Sequence, residues 1–203
     1  FFAYLQEEKP SVEFPNNHLK VHRVTDMLSS PTSMAFVDNN NILVLERSGK
    51  VRLISNGILR DQPVLSLPVN TEGERGLLGI ATSAQTKFGN YPAESNSVAA
   101  SGYGKQGFNT VFLYFTEAQD NEPLRNRIYK YEWNGGELVN PVLVLDLPAM
   151  PGPYHDGGKL DVGPDNHLYA VIGDLNSVAG PLQNLKATGK LHYDTSVILR
   201  IPL

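Results

Sequence analysis

Cysteine is absent from the 203 residues. That excludes a disulfide framework, a thiolate zinc site, an iron–sulfur cluster and a cysteine nucleophile. It leaves the compartment open, because a domain with a large core is stable without disulfides. Long hydrophobic runs are also missing. The longest, such as Ile42 to Leu45 and Val111 to Phe115, fall far short of the roughly 18 residues a membrane-crossing helix needs. No block of Lys and Arg occurs and the formal net charge is −4, so the chain offers no electrostatic footprint for a nucleic-acid backbone. Apolar residues at helical spacing are scarce throughout.

Turn residues, by contrast, are plentiful. The 18 Gly and 14 Pro follow no collagen period and form no low-complexity tract, so they point to many turns. Between them, short β-rich runs recur from about residue 19: Leu19 to Val24, Ser33 to Val37, Ile42 to Glu46, Val51 to Ile54, Leu77 to Ala81, Val111 to Thr116, Arg127 to Trp133, Val142 to Leu147, Lys159 to Val162, His167 to Ile172 and Ser196 to Ile201. The chain reads as all-β. Asp38-Asn39-Asn40-Asn41 and Gly163-Pro164-Asp165-Asn166 each join two runs, and Ser48-Gly49 leads into a third. Asn, Asp and Gly tolerate the left-handed backbone that tight hairpins require.

The first two of these hairpins superpose at a constant offset of 126 residues: Phe36, Asn40, Ile42 and Leu43 fall opposite Val162, Asn166, Leu168 and Tyr169. A third copy starts at Gly76-Leu77-Leu78-Gly79-Ile80-Ala81 and resumes at Thr110-Val111-Phe112, its turn replaced by a Ser-, Ala-, Asn- and Gly-rich surface insert at 82–109. Without that insert the copies begin roughly 45 to 55 residues apart, the period of a four-stranded propeller blade. The expectation is a partial β-propeller over 19–203, holding about three to four antiparallel blades. Residues 1–18, which open Phe1-Phe2-Ala3-Tyr4-Leu5 without an initiator Met, read as an N-terminal extension or the remnant of a processed leader.

Five histidines are present; His18, His22, His167 and His192 sit in ordinary strand or turn contexts with no metal-like spacing. His155 differs, because it lies in Pro151-Gly152-Pro153-Tyr154-His155-Asp156-Gly157-Gly158, a Gly- and Pro-dense loop opening into a strand. Such loops project a side chain from a rigid sheet into a cleft, and imidazole is the usual general base near neutral pH. Nineteen residues later Asp174 ends the strand that pairs back across the hairpin. It either accepts the other ring N–H of His155 and fixes its tautomer, or caps a turn. Thr71-Glu72-Gly73-Glu74-Arg75-Gly76 is a polar loop that either presents Glu74 and Arg75 to a ligand or forms a surface ion pair. It is not a phosphate loop, since no Gly-Lys-Ser/Thr follows.

Taken in order, four segments resemble the soluble pyrroloquinoline quinone (PQQ)-dependent glucose/sorbosone dehydrogenases, also called aldose sugar dehydrogenases. They are Pro31 to Phe36 with Leu45 to Lys50; Gly73-Glu74-Arg75-Gly76-Leu77-Leu78-Gly79-Ile80-Ala81; His155-Asp156-Gly157-Gly158-Lys159-Leu160 with Gly163-Pro164-Asp165; and Leu168 to Asp174. The resemblance implies a six-bladed propeller that oxidises the anomeric hydroxyl of an aldose, with hydride passing to PQQ and electrons to an external acceptor. His155 would be the general base and Asp174 the residue orienting it. By the same resemblance Glu74, Arg75, Tyr154 and Asp156 are candidate cofactor contacts, with Glu74 where the family often has Gln and Tyr154 where well-known members have Asp. Calcium is implied as a second cofactor, with its ligands and the basic clamps for PQQ beyond residue 203. A second chain, a second copy or a further half would complete the propeller, outside the cytoplasm or at the cell surface. Two other readings stand beside this one. One is a non-catalytic propeller binding a protein or glycan; the other is a structural module assembling through blade edges.

Overall fold

The computed structural model describes residues 21–83, 110–118, 124–176 and 195–203. All twelve elements among them are strands, arranged in three antiparallel sheets. The first holds β1 (Pro31–Phe36), β2 (Asn41–Glu46), β3 (Lys50–Ser55) and the short β4 (Ile58–Leu59), with β5 (Leu65–Ser66) also on β3. The second runs β6 (Leu77–Ser83), β7 (Thr110–Glu117), β8 (Arg125–Trp133) and β9 (Leu138–Pro148). The third is β10 (Gly157–Val162), β11 (His167–Ile172) and β12 (Val197–Pro202). These are blades of a β-propeller, and β6 packs between β1 and β10 at their inner edges.

The turns form for the reason their residue types suggest. Asp38 accepts the Asn40 N–H at 2.8 Å and the Asn41 side-chain amide at 2.7 Å, while Asn166 takes φ 56° to close the β10–β11 hairpin. The 126-residue repeat extends to the pairing register. Phe36 opposes Ile42 as Val162 opposes Leu168, and Pro31 opposes Glu46 as Gly157 opposes Ile172. An irregularity follows Pro31, Leu77 and Gly157 alike, at the head of each inner strand. Inner strands approach closely where side chains are missing: a Cβ on Gly79 would lie 1.8 Å from the Gly158 carbonyl oxygen.

Burial explains why β7 reads as an unbroken apolar run rather than an alternation. Val111, Leu113 and Phe115 face the first sheet, in a core with Leu43, Leu45, Val51, Leu53, Leu77 and Trp133. Phe112 and Tyr114 face the third, with Ile128, Leu147, Leu160, Leu168 and Ile172. Each fully buried Leu or Phe contributes about 1.5–3 kcal/mol.

Of the expected strand Leu19 to Val24, the described part is not extended into a sheet. Val21 to Val24 are irregular, with Val21 and Val24 exposed; no strand among the described residues lies alongside them, and an unpaired β-segment leaves its amides without partners. Residues 1–20 and 84–109, and with them His18 and nearly all of the expected insert, lie outside the described residues, as does His192. At its near edge Thr82 and Ser83 continue β6.

Candidate active site

The start of β10 and the end of β11 are paired neighbours, with Gly157 opposite Ile172. Two residues further out on each chain, His155 and Asp174 therefore meet, and the ring Nδ1 lies 2.8 Å from the Asp174 Oδ1. The imidazole is 58% exposed and the carboxylate 34%. Asp174 also accepts the Asn176 N–H at 2.9 Å, so it both orients the ring and caps its turn. The His155 bond foremost, and then the Asn176 N–H, hold its carboxyl below the usual aspartate range. Because the carboxylate is acceptor-only, it selects the tautomer of the neutral ring in which Nδ1 carries the proton and Nε2 the lone pair.

His155 occupies the left-handed region at φ 61°, which a non-glycine residue adopts only when its surroundings hold it there. Its carbonyl accepts the Leu175 N–H at 3.4 Å, and a Cβ on Gly173 would sit 1.7 Å from that oxygen. Its own N–H donates to Glu74 Oε2 at 2.7 Å, while the Glu74 N–H donates to the Pro153 carbonyl at 2.9 Å.

Of the other expected site residues, Tyr154 is exposed beside His155, whereas Arg75 and Asp156 are buried. Arg75 donates to the Ala149 carbonyl at 2.6 Å and to Glu72, not Glu74, at 3.3 Å. It fills a slot opened by Gly152, where a Cβ would lie 2.0 Å from its Nη2. Asp156 takes the Asn126 amide on Oδ1 at 3.3 Å, and its carbonyl accepts the Tyr114 hydroxyl at 2.9 Å. Burial pushes the Asp156 carboxyl up. His155, Asp174, Glu74 and Tyr154 thus share one accessible rim, and Arg75 and Asp156 support it from inside.

The sequence reading passed over Asn126 and Thr116. They face each other across β7 and β8 and hydrogen bond at 2.6 Å, both buried. Two polar residues within otherwise apolar strands are the signal that marks them. Arg47 was also passed over; it donates to the carbonyls of Thr71 and Gly73 at 3.1 and 2.7 Å, shaping the Glu74 loop. His167 sits at the far end of the third sheet, against the Asp165 carbonyl at 2.8 Å. Among the described residues no three acidic or histidine side chains gather as a metal site.

Residues 28–196 match the glucose/sorbosone dehydrogenase family model, a span that holds β1 to β11, the His155–Asp174 pair and the Glu74 loop. The chain belongs to this family. A curated relative, an uncharacterized protein of Synechocystis sp., is 27% identical over 159 residues, covering 77% of this chain and 35% of the relative. Among solved structures, an oxidoreductase of Thermus thermophilus described as a glucose dehydrogenase is similar with a TM-score of 0.66 and 28% identity, over 90% of this chain and 47% of that one. The PQQ-bound aldose sugar dehydrogenase of Streptomyces coelicolor is similar with a TM-score of 0.64 and 26% identity, over 90% of this chain and 48% of that one. This glucose/sorbosone dehydrogenase family chain therefore spans about half the length of the solved relatives and about a third of the curated one.

Proposed function

We propose that the chain forms the proton-accepting side of a sugar dehydrogenase site, with His155 as general base for the anomeric hydroxyl of an aldose. The observation that carries this reading is the Nδ1–Asp174 bond, at 2.8 Å, on an imidazole left more than half exposed. With Nδ1 protonated, Nε2 takes the hydroxyl proton as the C–H electron pair leaves as hydride. Asp174 then balances the imidazolium, as the orienting carboxylate of a catalytic histidine does.

The PQQ of the Streptomyces coelicolor relative suggests the hydride acceptor, and when bound PQQ supplies that chemistry. The described residues fit only the base side of such a site. PQQ carries several carboxylates, whereas the guanidiniums of Arg47 and Arg75 are already engaged with protein carbonyls. Leaving cofactor charges without partners would cost several kcal/mol. The cationic clamps and any calcium ligands are assigned to the further length that the solved relatives possess, or to a second chain or copy.

The test is sugar oxidation by the complete protein with PQQ, Ca²⁺ and an artificial electron acceptor across an aldose panel. His155→Ala should lower kcat about 10² to 10⁴-fold, the usual contribution of a general base. Full activity in that variant, or saturable PQQ binding with no oxidation of any aldose, would retire the reading.

A further inference from the structure

Most backbone N–H groups in this fold donate to a neighbouring strand, but the segment leading into β10 has no such recourse. Pro151 and Pro153 have no N–H, and the β10–β11 pairing begins only at Gly157. His155 is held at φ 61°, so its N–H needs an acceptor from outside the hairpin. Glu74 provides it from the loop before β6, 81 positions away, at 2.7 Å. The reverse bond, from the Glu74 N–H to the Pro153 carbonyl at 2.9 Å, closes a two-point clasp between the loops. Arg75 adds a third point on the Ala149 carbonyl.

We infer that Glu74 is the positioning residue of this site. Its carboxylate fixes the left-handed backbone of His155 and thereby aims the imidazole at Asp174, without itself touching the substrate. A charge-assisted bond of this length is stronger than a neutral one. The direction of the Cα–Cβ bond follows the backbone. If residue 155 relaxes to an ordinary φ, the ring swings away from Asp174 and the tautomer is no longer fixed. The inference rests on the general-base reading of His155, and it assigns Glu74 to the base rather than to a bound cofactor.

The experiment compares the complete protein with Glu74→Ala and Glu74→Gln, using imidazole ¹⁵N resonances recorded above the ordinary histidine pKa. In the parent His155 should be in the Nδ1–H form. Glu74→Ala should release it to a mixture of tautomers and lower kcat about tenfold to 10²-fold, the scale of a small misalignment, while KM for the sugar stays put. Glu74→Gln, which keeps an acceptor oxygen for the same N–H, should recover most of both losses. An unchanged tautomer in Glu74→Ala overturns the inference, as does a selective loss of PQQ affinity with the tautomer intact. Should the parent oxidise no sugar, the dehydrogenase reading fails by itself, and the tautomer of Glu74→Ala still decides the role of Glu74.

Discussion

At His155 the N–H, the carbonyl and the ring each have a separate partner: Glu74, Leu175 and Asp174. Three fixed points leave the ring one orientation. Asp174→Asn would place an amide against Nδ1 and favour the wrong tautomer, so kcat should fall by about 10²-fold or more, with folding near normal by circular dichroism. The acid response of the two neighbouring aspartates should have opposite sign. Asp174 has a lowered pKa in the fold. The stability it contributes is present above the ordinary carboxylate value and is lost as pH falls through the lowered one. The melting-temperature gap between the parent and Asp174→Asn should accordingly close only in strong acid. Asp156 has a raised pKa from burial, and its Oδ2 is buried without a hydrogen-bond partner. Its ionised form opposes folding above the raised value, and the penalty shrinks as pH falls toward the ordinary one. Asp156→Asn should therefore melt above the parent at neutral pH, and the gain should vanish in acid. A lower melting temperature at neutral pH would mean that the Asp156 charge is stabilised through Arg75.

At the scale of the element, sheets meet through inner strands that lack side chains at the contact. Gly79→Ala should force β6 away from β10, because its Cβ would fall 1.8 Å from the Gly158 carbonyl oxygen; chemical denaturation should show a lower midpoint. Leu113, fully buried in the core between the first two sheets, should cost about 2–5 kcal/mol as Leu113→Ala. These elements were legible because turn chemistry and β-rich runs are local signals. A hairpin of known turn brings the flanks of His155 and Asp174 together, but the sequence could not choose between a ring bond and a turn cap for Asp174, which makes both. The burial of Arg75 was not legible. Its neighbours are polar, and the slot it fills exists because Gly152, 77 positions later, has no side chain. Asn126 and Thr116 left only the faint trace of polarity inside apolar strands. Val21 to Val24 had the right composition for a strand, but composition cannot supply a partner edge.

For the molecule as a whole, the two outer sheets leave apolar residues uncovered. Met34 and Phe36 on β1 are 60% and 52% exposed, beside a groove of about 450 Å³ that also takes in Val24, Leu28 and Ile42. Ile198 on β12 is 69% exposed at the other end. Further blades over both faces are the natural cover, since each blade of a propeller buries its faces against its neighbours. If so, Phe36→Asp in the complete protein should cost about 3 kcal/mol or more, as a charge buried without a partner does; a melting temperature equal to the parent's would mean that β1 faces water. The shared register also says which rim positions correspond. Counting two residues outward from Pro31–Glu46, Leu77–Phe115 and Gly157–Ile172 reaches Ser29 with Ser48, Arg75 with Glu117, and His155 with Asp174. A duplicated frame has thus given one location three occupations: two serines, a buried arginine strut and a hydrogen-bonded histidine–aspartate pair. On the general-base reading, chemistry here is a local specialisation of one copy, and the sister positions are where a second such pair could be installed with the least disturbance to the scaffold.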